Sequence, residues 1–184
     1  MKNKKNSSPI IILFEPQLEE NIGAVARAMK NFNLLDLRII KKSWRPTKTS
    51  LKTSSKAEEI LKKAKVFQNL EEGIEDLNYV YATSNRKRDL TIEVINLKQG
   101  VKIISSNKNS KIGILFGPER NGLNNDHIAL CDKIIEIPLN ENFKSLNLAQ
   151  SVLLVVYELF NSNLKVSNLK KEKQTKKKRA NYIF

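Results

Sequence analysis

Between Ile112 and Tyr157 the chain twice leaves a short apolar run for a loop of polar and turn-forming residues, then enters a long apolar helix. The run Ile112 to Phe116 breaks into Gly117-Pro118-Glu119-Arg120-Asn121-Gly122, and the run Ile134 to Ile137 breaks at Pro138. A polar link then delivers Ser145-Leu146-Asn147-Leu148-Ala149 to a helix expected over Leu146 to Phe160. Continuous apolar runs of this length suit strands buried on both faces, as in a parallel sheet. Ligands of open α/β sheets bind outside the carboxyl ends of such strands. Two strand ends and a helix start within 46 residues therefore predict one wall of a binding site.

The rest of the chain repeats the alternation. Pro9 to Phe14 predicts a first buried strand, ended by Glu15-Pro16. Asn21 is suited to cap a helix whose apolar positions Ile22, Val25, Ala26, Met29 and Phe32 recur at helical spacing, with Asn33 closing it. Leu37 to Ile40 is the next strand. Ser43 to Ser55, rich in Ser, Thr, Lys and Pro, is expected to be a mobile basic loop. Helices are expected over Lys56 to Lys63, Leu70 to Leu77, Leu97 to Ser105 and Asn124 to Leu130, with short structure at Val66-Phe67 and a strand over Tyr79 to Thr83. Alternating strands and helices make the class α/β, a mainly parallel sheet flanked by helices. No internal repeat is evident.

The charge is uneven. The net charge is +14, and two blocks account for all of it. Lys41 to Lys65 holds nine Lys/Arg against two Glu, and Lys165 to Phe184 holds eight against one. Concentrated positive charge favours phosphate polyanions through counterion release, so a nucleic acid partner is expected. The folded domain is assigned to residues 1–162 and a basic, flexible tail to 163–184, whose last residues Tyr182-Ile183-Phe184 carry no assigned role. No apolar run approaches the roughly 20 residues of a membrane span, and the apolar start reads as a strand, not a signal peptide. The single cysteine, Cys131, cannot form an internal disulfide, which points to the cytoplasm. It is expected to be a small core residue on a helix, and the lone His127 a helix surface residue. There is no Cys/His cluster for a metal.

Familiar nucleotide signatures are missing. No GxGxxG follows the first strand. Gly117 and Gly122 have P-loop spacing, but Leu123 and Asn124 stand where the motif needs Lys and a hydroxyl. Three loops remain: the one entering NIGAVARAMKNF, FGPERNGL, and IPLNENFKSLNLA. In the first, Gly23, Ala24, Ala26 and Ala28 keep a helix slim enough for another backbone to approach closely. Packing explains the alanines but not Arg27 among them, since an arginine beside such a face usually meets an anion.

In this order and spacing the trio resembles the three motifs of the SPOUT class of RNA ribose 2′-O-methyltransferases. Within it the chain is most similar to the TrmJ-like tRNA (cytidine/uridine-32) enzymes, over roughly Ile10 to Phe160. The loop TSNRKRD after the Tyr79 strand also resembles the family's loop there. The resemblance implies a SPOUT fold with a deep C-terminal trefoil knot, a homodimer, tRNA as partner, and S-adenosylmethionine as cofactor. It implies cofactor contacts at Thr83, Ser84, Gly117, Pro118, Glu119, Ile137, Pro138, Leu146 and Asn147. It implies catalytic roles for Arg27, Asn21, Glu119, Ser145 and Asn147, with Arg27 either base or phosphate anchor. The implied reaction is 2′-O-methylation of a tRNA ribose, at position 32 of the anticodon loop. Another tRNA or rRNA ribose, or a non-catalytic RNA-binding or assembly factor, are the alternatives. Similar enzymes continue into a further C-terminal extension, where this sequence has only its basic tail.

Overall fold

The computed structural model describes residues 8–86, 91–107 and 109–163; the basic tail and part of the TSNRKRD loop lie outside them. Seven strands form one parallel sheet: β1 (Ile10–Phe14), β2 (Leu37–Ile40), β3 (Lys65–Phe67), β4 (Tyr79–Thr83), β5 (Val94–Asn96), β6 (Ile112–Phe116) and β7 (Lys133–Glu136). Their order across the sheet is β3-β2-β1-β6-β4-β7-β5. Every pairing is parallel, with Ile11 opposite Leu37 on one side of β1 and Ile114 on the other.

Alternation along each strand sorts side chains onto two faces, so one strand feeds two cores. Ile11, Leu13, Ile39, Tyr81, Ile114 and Phe116 join one core, with α1 (Glu19–Asn31), α3 (Glu58–Lys63), α5 (Leu97–Ser106) and the helix over 148–163, here α7. Ile10, Ile12, Val80, Ala82 and Leu115 join the other, with α4 (Leu70–Ile74) and α6 (Asn125–Ala129). The result is a sheet sandwiched between two helical layers. Each of these fully buried aliphatic side chains contributes roughly 2 kcal/mol.

The segment Ser43 to Ser55 is not a mobile loop. It contains α2 (Lys48–Ser54), opened by a capping box in which the Thr47 hydroxyl accepts from Ser50 N and the Ser50 hydroxyl from Thr47 N. Trp44 is buried, and its indole donates to Glu19 Oε1 at 3.0 Å while the Thr47 hydroxyl donates to Glu19 Oε2 at 3.0 Å. The slim face of α1 is what α2 packs against. A Cβ at Gly23 would lie 1.9 Å from Thr53 Oγ1 and 2.2 Å from the Ser50 carbonyl oxygen. The close backbone approach expected from the small residues therefore occurs within this chain. Lys42, Arg45, Lys48, Lys52 and Lys56 all stay exposed, so five positive charges of this basic block are held on an ordered ridge.

Two other differences bear on the site. α1 begins at Glu19 with Leu18 at its N-cap, so Asn21 lies inside the helix and is buried rather than capping it. Strand β5 was not expected. It is three residues long and only Ile95 of it is buried, too little to produce a readable apolar run.

Candidate active site

The carboxyl ends of β4, β6 and β7 surround a cavity of about 330 Å³. Each wall is a loop that its own sequence forces into shape. After β6, Gly117 sits so close to Gly122 and Leu123 that a Cβ would meet the Leu123 nitrogen at 2.5 Å. Gly122 closes the turn at φ +59°, a left-handed value that favours glycine, and its N–H donates to the Pro118 carbonyl at 2.8 Å. After β4, the Thr83 hydroxyl donates to the Leu115 carbonyl at 3.0 Å and Ser84 N to the Ile135 carbonyl at 3.3 Å. After β7, Ile137 N donates to Asn85 Oδ1 at 3.2 Å. Three neighbouring strand ends are thus sewn together around the opening.

A polar chain joins the three motifs. The Glu119 carboxylate accepts from Gln17 N (2.8 Å), Leu18 N (3.2 Å) and Asn21 Nδ2 (2.9 Å). Asn21 Oδ1 in turn accepts from Asn147 Nδ2 at 2.9 Å. Asn147 Oδ1 accepts from Ala149 N (2.9 Å) and Gln150 N (3.3 Å), which makes Asn147 the cap of α7. Ser145, which could have held that place, instead lines the cavity. Burial pushes the Glu119 carboxyl up, but its donors (Asn21 first, then backbone N–H groups) outweigh burial and hold it below the usual carboxylate value. Glu119 is therefore an anion at neutral pH, spent on fixing two loops.

Of the residues expected to meet the cofactor, Thr83, Ser84, Gly117, Pro118, Glu119, Ile137 and Leu146 line this cavity; Pro138 and Asn147 do not. Of those expected to be catalytic, Glu119 and Ser145 line it, while Asn21 and Asn147 stand behind it as its framework. Arg27 is absent from its walls within one chain; it is exposed on α1, and among the described residues nothing pairs with its guanidinium. Sequence reading passed over Asn85, Arg86, Arg120 and Lys144, which also line it. All four lay inside loops already singled out, so position beside a motif was the available signal. Cys131 is buried just past α6 and its thiol, pushed up to about 12 by burial and then by Asp132, is no nucleophile. His127 is on α6 but half-buried against Phe14.

The walls suit a small amphipathic ligand. Phe116, Leu123, Leu146 and Leu148 give apolar surface, Ser84, Ser145 and Ser151 give hydroxyls, and Arg86, Arg120 and Lys144 give cations for a carboxylate.

The family model for the SpoU rRNA methylase family matches residues 8–157. The chain belongs to that family. The SpoU match covers both the polar chain and every loop of the cavity. A tRNA (cytidine/uridine-2′-O-)-methyltransferase TrmJ of Sodalis glossinidius is 35% identical over 150 residues, 81% of this chain and 59% of that protein. A tRNA (cytidine-2′-O-)-methyltransferase TrmJ of Methanocaldococcus jannaschii is 34% identical over 84% of this chain and 68% of its own length. The crystal structure of TrmJ from Z. mobilis ZM4 matches with a TM-score of 0.80 and 45% identity, over 84% of this chain and 69% of that one. This chain thus spans about three fifths of the Sodalis protein.

Proposed function

We propose that this SpoU-family chain is an S-adenosylmethionine-dependent tRNA ribose 2′-O-methyltransferase acting in the anticodon loop, at position 32. One observation carries the reading. Three motifs far apart in sequence are joined by the Glu119–Asn21–Asn147 chain beside a cavity whose walls fit the cofactor. The names of the similar proteins support tRNA as substrate. S-adenosylmethionine, when bound, supplies an electrophilic methyl group. Arg86, Arg120 or Lys144 would hold its carboxylate, and the loops after β4, β6 and β7 its adenine and ribose.

The protein's own task is to align a ribose hydroxyl and ease loss of its proton. Ser145, whose hydroxyl belongs to the cavity wall, would orient the ribose. Arg27 acts as a phosphate anchor, since a guanidinium keeps its proton to pH above about 12. Because Arg27 does not line its own cavity, we place it in the cavity of a second copy. A homodimer through α1 and α7 fits this. Leu153, Leu154 and Tyr157 leave an exposed apolar stripe on α7, and Phe32, which caps α1, packs against Tyr157 and Phe160 at its edge. A deep trefoil knot in the C-terminal part also belongs to the proposal. Strand β7 pairs between β4 and β5, both earlier in the chain, and the segment after it is tied back to Asn85.

The test is methyl transfer to total tRNA from a strain lacking the protein, with nucleoside mapping, alongside calorimetry with S-adenosylmethionine. Cofactor binding and one new 2′-O-methylated nucleotide at position 32 are expected. A methyl group at another ribose would overturn the target. No cofactor binding would overturn the enzyme.

A further inference from the structure

A second cavity, of about 390 Å³, adjoins the first. Pro118 and Gly122 belong to the walls of both, so one loop separates them. Its remaining walls come from the carboxyl ends of β1 and β2 and from α6.

Its chemistry is that of a base site. Phe14 and His127 lie with ring centroids 4.1 Å apart, tilted by 52°. Asn124 N donates to His127 Nδ1 at 3.3 Å, which leaves the ring proton on Nε2. Burial keeps the imidazole below its ordinary pKa, against the pull of Asp126 and Glu71, so at neutral pH it offers a neutral aromatic surface with one donor. Lys41 spends one N–H on the Pro16 carbonyl, 2.8 Å away, and keeps two for an anion. Glu15, Gln17 and Asn121 add acceptors and donors suited to a base edge. The backbone is strained here as well. Glu15 sits at φ +45°, a left-handed value unfavourable for a side chain with a Cβ. Single-stranded RNA is read in this manner, with a base stacked on an aromatic surface and bonded along its edge.

We propose that this cavity holds the nucleobase of the RNA residue next to the one whose ribose is methylated, with the base on the Phe14–His127 surface and Lys41 on its phosphate. The inference rests on the reading of the chain as an RNA methyltransferase, and it names a contact that selects the substrate.

The experiment is equilibrium binding, without cofactor, of anticodon stem-loop RNAs carrying one abasic residue scanned through the loop. For the unaltered protein, one abasic position beside the methylated nucleotide weakens binding about tenfold, the usual worth of one stacked base. In His127→Leu, which keeps bulk but removes the imidazole, that penalty falls below twofold. Asn121→Ala, at an exposed side chain, keeps the abasic penalty but loses discrimination among bases at that position. Lys41→Gln weakens all the RNAs alike and lowers the salt slope by about one. A flat abasic series in the unaltered protein overturns the proposal. So does a penalty undiminished in His127→Leu together with unchanged base preference in Asn121→Ala. Because binding is read without cofactor, an absence of methyl transfer with the abasic pattern present would sink the enzymatic reading and leave the base site standing.

Discussion

The two ends of the sheet carry polar clusters made of similar groups but put to different uses. At the amino end, Arg38 of β2 is buried, and its guanidinium donates to Asp76 Oδ1 at 2.6 Å, to Asp76 Oδ2 at 3.0 Å and to the Gly73 carbonyl at 2.7 Å. It also lies 5.4 Å from the centroid of the Phe67 ring, and Lys111 reaches the same aspartate. At the carboxyl end, Glu119, Asn21 and Asn147 join three segments in the same way, but beside cavities lined by Ser145, Arg86 and Arg120. Arg27, on α1, is exposed and lines neither cavity. A guanidinium closed upon its own chain holds strands in place. One held on a rigid helix with no partner among the described residues is available to something else.

The difference can be broken by experiment. Arg27→Ala has the largest expected effect, a loss of about a thousandfold in methyl transfer, near 4 kcal/mol of transition-state stabilisation. Its urea midpoint should move little, because the side chain is exposed and among the described residues no hydrogen bond or ion pair holds its guanidinium. A variant that melts early but methylates normally would assign Arg27 to the fold. Asp76→Ala should do the reverse. It leaves Arg38 buried with one carbonyl for a partner, at a cost of about 3 kcal/mol in urea unfolding, with cofactor affinity unchanged. A large change in cofactor binding would show that the two ends are coupled through the strands.

Legibility followed the same division. The strands of the sheet's centre were readable because burial on both faces leaves continuous apolar runs such as Ile10 to Phe14 and Ile112 to Phe116. Helix α2 was not, because Ser, Thr and Lys carry no apolar stripe. It is held by Trp44, by its capping box and by the room that Gly23 leaves, which are tertiary facts. In the site, Gly117-Pro118-Glu119 and Ser145-Leu146 were readable as loops at strand and helix ends. The role of Asn21 was not. As a helix cap its partner would lie two or three residues on; its actual partners, Glu119 and Asn147, are 98 and 126 residues away. Nor can spacing alone tell whether Arg27 faces its own cavity.

Two smaller predictions sharpen the contrast. Glu119→Gln removes the charge that binds the loops before α1 and after β6, with an expected cost of about 2 kcal/mol. The sign with pH follows from its lowered pKa. The native carboxylate is favoured relative to the unfolded one, so the advantage over Gln is complete above the ordinary value of about 4.3 and fades as pH falls through the native value. Urea unfolding of both proteins at pH 7 and in acid should show a gap at the first that narrows at the second. A gap equal at both would mean that Glu119 acts by shape and not by charge.

The smallest effect belongs to the ridge of α2. Lys48 and Lys52 are exposed, and α2 packs against the part of α1 that rises from the cavity's end of the sheet. Replacing both by Gln should leave stability within about 0.5 kcal/mol. If the ridge follows an RNA backbone, each lysine releases one condensed counterion, and the slope of log affinity against log salt should flatten by about 1.5 in total. The affinity itself would fall less than tenfold at physiological salt, which is why the slope is the measurement to make. An unchanged slope would confine RNA contact to the cavities and the tail, and the order of α2 would then be a matter of folding alone.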